Sequence, residues 1–314
     1  MSSGHRSDPA GRGRASQRTY LVRRLVALAL MLLVGWGVGT VFGVFGGDDT
    51  KKAAAVQPTI NTVINDGGPS TLPATTTTEL PIKERTVPSV ADPAELLILG
   101  DSDAGTFGPY LKSLLDATGI VSTKLDYKTS SGLARPDFFD WPAYMQQVVP
   151  QVNPDIVVIT FGGNDAQGLR NLDKTWAVDH EPATSGVDDA DWREEYGKRV
   201  GAAMDYLSDG NRTLIWVGIP NDDNPDVTAR MRVQDEVVRA EAAKRPKVKF
   251  VDTWARFSGR NGGWAEFVVD PRDGEGKDVR ADDGFHLNQN GAEILAIDIA
   301  EAVKADLRDR GADI

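Results

Sequence analysis

The chain has 314 residues, of which 40% are hydrophobic, so it can bury one sizeable core. It contains no cysteine and only three histidines, which excludes disulfides, thiolate zinc sites and a cysteine nucleophile and argues against a histidine-rich metal centre. The formal net charge of −11 disfavours binding to nucleic acid. We therefore expect no nucleic-acid partner, no metal and no other cofactor.

The N-terminal region divides sharply from the rest. Residues 1–24 carry six arginines and one acid, and residues 25–47 carry no charged side chain. The uncharged run reaches the roughly 20 residues that span a bilayer, which predicts a basic cytoplasmic tail followed by a transmembrane signal anchor. A cleaved signal peptide is the alternative, because Ala53 and Ala55 have the spacing of a cleavage site. We favour the anchor because the apolar run exceeds the usual ~7–15 residues of a signal peptide.

One face of this predicted membrane helix carries glycine at every fourth position. The residues are Gly35, Gly39, Gly43 and Gly47. Small residues at this spacing let two membrane helices approach closely, which makes the face a candidate for self-association. Glycine is also common in membrane helices that have no such role.

Residues 48–92 are rich in threonine and proline and have almost no aromatic content. A segment of this composition cannot bury enough apolar surface to fold, so we predict a disordered linker. The linker would tether residues 93–314, the predicted catalytic domain, on the outer side of the membrane.

Short apolar runs alternate with helical patterns through this domain. The predicted strands are 96–100, 121–127, 155–163, 213–220 and 248–254, and the predicted helices are 105–118, 142–152, 188–208, 226–244 and 289–307. Strands that are apolar on both faces and separated by helices indicate a three-layer α/β/α sandwich around a mainly parallel five-stranded sheet. In such folds, functional sites form at the carboxyl ends of the strands.

Four short segments fall at these strand ends or just before the last helix. They are Asp101-Ser102, Gly132, Gly162-Gly163-Asn164-Asp165 and Asp283-Gly284-Phe285-His286. One rim of a parallel sheet can bring them together.

The four segments resemble, in order and spacing, the sequence blocks of the SGNH or GDSL-type hydrolases, over about residues 96–307. Within that family, the chain is similar to exported or membrane-anchored bacterial members of uncharacterised substrate. The resemblance implies a flavodoxin-like fold and a serine acylhydrolase activity. It also implies an oxyanion hole made by the backbone N–H groups of Ser102 and Gly132 and the side-chain amide of Asn164, although Asn164 could instead only stabilise a turn.

The first and last segments also have a chemical role that does not depend on the resemblance. A serine hydroxyl is a poor nucleophile until a base takes its proton, and His286 is the candidate base for Ser102. Asp283 precedes the histidine by three residues and can orient its ring, with Asp282 as the alternative. His180 is the alternative base. In the non-catalytic interpretation, Ser102 only caps the helix that follows it.

Asp103 stands where the family usually has an apolar residue. Its carboxylate could raise the pKa of His286 or repel anionic substrates, or it could point into solvent. We group Asp103 with Arg135, Asn221 and Arg280 as candidate substrate-binding residues. Four tryptophans are further pocket candidates, although core packing explains them better: Trp141, Trp176, Trp216 and Trp254.

These features together predict a membrane-anchored, extracytoplasmic serine esterase that removes acyl groups, acetyl in particular, from a cell-envelope glycan through an acyl-serine intermediate. An acyltransferase that passes the group to a sugar hydroxyl would use the same intermediate. A non-catalytic, wall-facing binding or assembly module is the alternative outside enzymology. The glycan is inferred from the predicted location and from the resemblance.

The predicted topology can be tested by protease treatment of intact cells stripped of their wall. Because the arginines favour a cytoplasmic tail, the chain after Gly47 should be digested and a small membrane-bound stub should remain, as followed by mass spectrometry. Protection until the membrane is permeabilised would reverse the orientation. A domain released into the medium with a new N-terminus near Ala55 would establish the cleaved signal peptide.

Overall fold

The computed structural model describes residues 84–314. The predicted tail, membrane anchor, glycine face and most of the linker lie outside these residues and remain predictions. Within residues 84–314, no helix combines the length and the apolar character needed to cross a bilayer.

The described residues form nine strands and six α-helices. The strands are β1 Ala94–Gly100, β2 Val121–Tyr127, β3 Ile156–Thr160, β4 Leu169–Arg170, β5 Trp176–Val178, β6 Thr213–Val217, β7 Val248–Val251, β8 Phe267–Val269 and β9 Gly276–Asp278. The helices are α1 Ser102–Asp116, α2 Trp141–Val152, α3 Ala190–Leu207, α4 Pro225–Ala243, α5 Thr253–Arg256 and α6 Gln289–Asp309.

Five of these strands form the central sheet, in the order β2-β1-β3-β6-β7. All four neighbouring pairs are parallel. Counted within the sheet, this is the 2-1-3-4-5 order of flavodoxin-like folds, whose strand order reverses between β1 and β3. The predicted parallel five-stranded sheet is therefore confirmed. Two antiparallel hairpins, β4-β5 and β8-β9, lie outside it.

Helices cover both faces of the sheet because successive residues of a strand point to opposite sides. On β1, Leu97 and Leu99 pack in a cluster with residues of α2, α3 and α4. Leu96 and Ile98, between them, pack with residues of α1 and α6. All four side chains are fully buried. This alternation explains why β1 is apolar throughout, and it produces the three-layer sandwich.

The C-terminal end of α6 is fixed to the amino end of the sheet by a buried ion pair. Arg310 Nε donates to Asp306 Oδ2 at 2.7 Å, and Arg310 Nη2 donates to the carbonyl oxygen of Asp155 at 2.9 Å. The side chains of Arg310 and Asp306 are 1% and 4% exposed. Since α6 follows directly on the segment that contains His286, this contact helps to fix the helix behind the site.

Replacing Arg310 by Met should lower the free energy of unfolding by about 3–5 kcal/mol, because Asp306 would stay buried with less compensation for its charge. Urea denaturation measures the loss. The matched control is Arg308→Met, whose side chain is 47% exposed and which should change stability by less than about 0.5 kcal/mol. Equal effects of the two substitutions would contradict a stabilising role for the buried pair.

Candidate active site

A tight turn between β1 and α1 presents Ser102 at the carboxyl edge of the sheet. Gly100 has a φ of 144°, and a Cβ on it would lie 2.3 Å from the carbonyl oxygen of Thr160 on the adjacent strand. Only glycine can therefore occupy this position without moving the strands apart. Asp101 is the N-cap of α1, and its Oδ1 accepts the N–H of Asp103 at 3.0 Å.

Since the cap is Asp101, the interpretation of Ser102 as only a helix cap is wrong. Ser102 is the first helical residue, where backbone N–H groups lack partners within the helix and the helix dipole is positive. This position favours negative charge that develops near the serine.

Three predicted residues meet in a chain of hydrogen bonds. Ser102 Oγ lies 2.9 Å from His286 Nε2, and His286 Nδ1 lies 2.6 Å from Asp283 Oδ2. The other carboxylate oxygen of Asp283 accepts the backbone N–H groups of Phe285 at 3.0 Å and His286 at 2.9 Å. These bonds hold the carboxylate against Nδ1, so the neutral imidazole carries its proton on Nδ1 and can accept the Ser102 proton at Nε2.

The two alternatives that the sequence left open are placed elsewhere. Asp283, and not Asp282, bonds to the imidazole. His180 lies beside Asp191, with 3.4 Å between its Nε2 and Asp191 Oδ1. Within residues 84–314, the histidine that is hydrogen-bonded to Ser102 is His286.

The acid neighbours make His286 an unusually strong base. The hydrogen bond to Asp283, followed by the negative charges of Asp103, Asp283 and Asp101, outweighs partial burial and raises the pKa of His286 to about 9. Burial would raise the pKa of Asp283, but its bonds and charge interaction with His286 lower that pKa to about 2. The imidazole is thus mainly protonated at neutral pH, and its deprotonation limits the fraction of sites ready to react.

Asp101 also connects Ser102 to the third sequence block. Its Oδ2 accepts the backbone N–H of Gly162 at 2.7 Å and the side-chain amide of Asn164 at 3.1 Å. A primary amide has two N–H groups, so Asn164 retains one for an oxyanion. The bond to Asp101, the residue that precedes the serine, thereby fixes the orientation of the Asn164 amide.

Gly132, the third candidate oxyanion donor, belongs to a loop that the buried Asp165 holds. The carboxylate accepts the N–H groups of Leu133 at 2.9 Å and Ala134 at 2.8 Å and the hydroxyl of Tyr196 at 2.8 Å. A Cβ on Gly132 would lie 1.9 Å from Asp165 Oδ1, so this close approach requires glycine. Burial raises the pKa of Asp165 to about 6, despite these donors.

Two candidate substrate-binding residues are enclosed in the protein. Arg280 is 5% exposed and Asn221 is fully buried. All five N–H groups of the guanidinium donate, one to the side chain of Asn221 and the others to carbonyl oxygens, including that of Phe285 at 3.0 Å. Burial lowers the pKa of Arg280 to about 10. Because both side chains are buried, they are not placed to contact a substrate. Instead, they hold the segment that leads to His286.

The other two candidates differ in their surroundings. Asp103 is 8% exposed, so the interpretation that its carboxylate points into solvent is wrong, and direct contact with substrate disagrees with its burial. Arg135 binds Asp137 with Nε and Nη2 at 2.8 and 2.9 Å, while 36% of its side chain remains exposed. Substrate binding by Arg135 stays a prediction.

Three of the four candidate tryptophans are buried, in agreement with core packing. Trp141 and Trp216 are each 1% exposed and Trp254 is 8% exposed. Trp176, on the β4-β5 hairpin, is 47% exposed, and the Arg170 guanidinium lies 3.5 Å from the centre of its ring.

A cavity of about 820 Å³ lies beside the Gly132 loop. Its walls come from this loop, α2, α3 and the residues between β4 and β5, and include Leu133, Met145, Ala203 and Tyr206. This volume is typical of small-molecule sites.

Within residues 84–314, no group of three or more His, Cys, Asp or Glu side chains is placed to hold a metal ion.

Comparison with protein families gives a match to the model of DUF459, described as a protein of unknown function, over residues 95–302. The chain belongs to this family. The matched range contains all four sequence segments that meet in this site. A comparison with curated proteins found no match.

Solved structures similar to this chain include a lipase and two esterases. A GDSL-like lipase from Bacteroides thetaiotaomicron is 13% identical, with 68% of this chain and 89% of the lipase covered and a TM-score of 0.47. An esterase from Pseudoalteromonas sp. is 12% identical, with 68% of this chain and 99% of the esterase covered and a TM-score of 0.44. A catalytic mutant of an acetylxylan esterase from Geobacillus stearothermophilus is 18% identical, with 70% of this chain and 95% of the esterase covered and a TM-score of 0.46.

The ionisation of His286 predicts an alkaline pH dependence for the reactivity of Ser102. The rate of labelling by a fluorophosphonate should rise roughly tenfold per pH unit from neutral pH and level off above the pKa of about 9, because only the neutral imidazole accepts the serine proton. Mass spectrometry measures the labelling rate and locates the modified residue. His180→Ala should leave the profile unchanged. A profile without a rise, or with a midpoint below about 6.5, would contradict the assignment.

Proposed function

We propose that this protein is a serine acyl esterase. The observation that carries the proposal is the hydrogen-bonded chain from Ser102 through His286 to Asp283, with separations of 2.9 and 2.6 Å. A nucleophile, a base and a residue that orients the base, within hydrogen-bonding distance of one another, are the arrangement that activates serine for acyl transfer.

In the first half of the proposed reaction, Ser102 Oγ attacks the carbonyl carbon of the ester while His286 Nε2 takes the hydroxyl proton. The oxyanion that forms is stabilised by the backbone N–H groups of Ser102 and Gly132 and by the free N–H of Asn164. The carbon–oxygen bond to the alcohol then breaks, and the leaving alkoxide takes the proton from His286. The product is an acyl-serine and a free alcohol.

In the second half, His286 takes a proton from a water molecule as its oxygen attacks the acyl-serine. Collapse of the second tetrahedral intermediate returns the proton to Ser102 Oγ and releases a carboxylic acid. A sugar hydroxyl that replaced this water would make the protein an O-acyltransferase with the same serine. Product analysis with and without a sugar acceptor separates the two reactions.

For the substrate, we propose an O-acyl ester, acetyl in particular, of a cell-envelope glycan. The proposal is supported by the sequence before the domain, where a basic segment, an apolar run and a linker rich in threonine and proline are typical of an extracytoplasmic domain tethered to the membrane. Of the residues given a role in the reaction, only Gly132 lines the cavity of about 820 Å³, so this cavity does not by itself locate the acyl group.

Ser102→Ala and His286→Ala should each reduce kcat for p-nitrophenyl acetate by about four orders of magnitude or more, because each removes a group that acts in the transition state. Steady-state kinetics and acetate release from O-acetylated glycans measure the effect, and circular dichroism verifies folding. Matched controls are Ser113→Ala, on the exposed surface of α1, and His180→Ala, which should keep wild-type rates. Turnover that persists in folded Ser102→Ala would overturn the proposal.

A further inference from the structure

We propose that Asp103 is a positioning residue that acts through His286: its buried carboxylate, one residue after the nucleophile, adds a second negative charge to that of Asp283, favours the imidazolium and thereby sets the pH range in which Ser102 becomes reactive. This inference rests on the proposed function for its kinetic consequence.

The carboxylate of Asp103 is fixed inside the site. Its backbone N–H is bound to Asp101, and its side chain lies against the turn after β3, since a Cβ on Gly162 would be 2.2 Å from Asp103 Oδ2. With Thr160 and Leu287, Asp103 lines an internal cavity of about 10 Å³. Leu287 directly follows the base, so this carboxylate is enclosed between the nucleophile's helix and the segment that carries the imidazole.

No donor in the described residues satisfies one oxygen of this carboxylate. Asp103 Oδ2 is buried and has no hydrogen-bond partner among residues 84–314. A buried carboxylate in this situation is costly to ionise unless positive charge lies close to it. Two cations act on this carboxylate, His286 and Arg280. All N–H groups of Arg280 are engaged with other acceptors, and His286 is the one of the two whose charge changes near neutral pH.

The charged groups around Asp103 come from two parts of the chain. Asp101 precedes it at the start of α1, and Arg280, Asp283 and His286 lie on the segment before α6. Burial raises the pKa of Asp103 to about 6, with Asp283 adding to that increase and with His286 and Arg280 opposing it. Because this pKa lies below that of His286, Asp103 loses its proton before the imidazole does as the pH rises. The negative charge must then favour the imidazolium over the neutral ring.

Beyond Arg280, the loop after β6 contributes two more acids, Asp222 and Asp223. Both act on the Arg280 guanidinium, and a Cβ on Gly284 would lie 2.3 Å from Asp223 Cγ. Asp223 is exposed, so solvent screens its charge, unlike that of Asp103. This contrast provides a matched control: one exposed and one buried carboxylate, each close to the same catalytic segment.

Asp103→Asn should lower the pKa of His286 by about one unit, the smaller end of the effect of a nearby charge. A weaker base is neutral in more molecules at pH 7 but accepts the serine proton less readily. We therefore expect kcat/KM for p-nitrophenyl acetate to be about threefold higher than wild type at pH 7 and about threefold lower on the alkaline plateau. The two profiles should cross, which a general loss of structure cannot produce.

The ionisation of His286 is measured on the full chain without substrate, by NMR titration of the imidazole resonances. The resonance of His286 is identified as the one that is missing from the spectrum of His286→Ala. Its midpoint should fall in both Asp103→Asn and Asp103→Leu and stay within about 0.3 pH units of wild type in Asp223→Asn. An unchanged midpoint in the two Asp103 variants would overturn the inference. So would a wild-type midpoint at or below about 6.5, even if neither variant folded. Failure of the esterase assay contradicts only the proposed function, because the titration needs no turnover.

Discussion

The site depends on one buried carboxylate at the junction of β1, α1 and β3. Asp101 is fully buried and accepts three N–H groups: one from the first turn of α1, one from Gly162 and one from the amide of Asn164. Burial, followed by the charge of Asp103, raises its pKa, and the three donors oppose that rise. Through these bonds the helix that carries the nucleophile and the turn that carries an oxyanion donor share one acceptor, so neither can shift independently.

Two more buried charges hold the remaining parts of the rim in the same way. Asp165 accepts two backbone N–H groups of the Gly132 loop, and Arg280 donates to five oxygens around the segment before His286. Burying such groups costs solvation free energy unless each polar atom finds a partner. Because nearly all of these atoms are paired, the arrangement fixes irregular loops as firmly as secondary structure would, which is what a preorganised oxyanion site needs.

The elements that the sequence predicted correctly are those specified by local pattern. The inner strands β1, β3 and β6 are mainly apolar on both faces, whereas the outer strands β2 and β7 carry polar residues as well. A strand end followed by a polar residue is also visible without any structure. The predicted third strand, 155–163, is too long because Phe161 is buried like a strand residue, although the chain leaves the sheet after Thr160 and forms a 3₁₀ turn at Gly163–Asp165. The hairpins β4-β5 and β8-β9 have only two or three residues per strand, too few for any alternation to show.

The roles of Asp165, Asn221 and Arg280 could not be found in this way, since each depends on contacts between distant residues. Asp165 bonds to a loop 31 and 32 positions earlier in the chain, and Arg280 bonds to Asn221, 59 positions earlier. From sequence alone, a polar residue near a catalytic block is equally compatible with binding substrate and with holding a loop. Burial decides between them, and burial is a property of the assembled fold.

The burial of Asp103 likewise limits the ways in which its charge can affect the reaction. A carboxylate that is 8% exposed cannot select a substrate by contact, so its influence reaches the reacting atoms only through the field it exerts. That field favours the imidazolium. With an apolar residue at this position, the base would keep its bond to Asp283 but lose the charge of Asp103, and the pKa of His286 would be lower. The identity of one buried residue next to the nucleophile is thus enough to shift the pH range of serine activation that we propose.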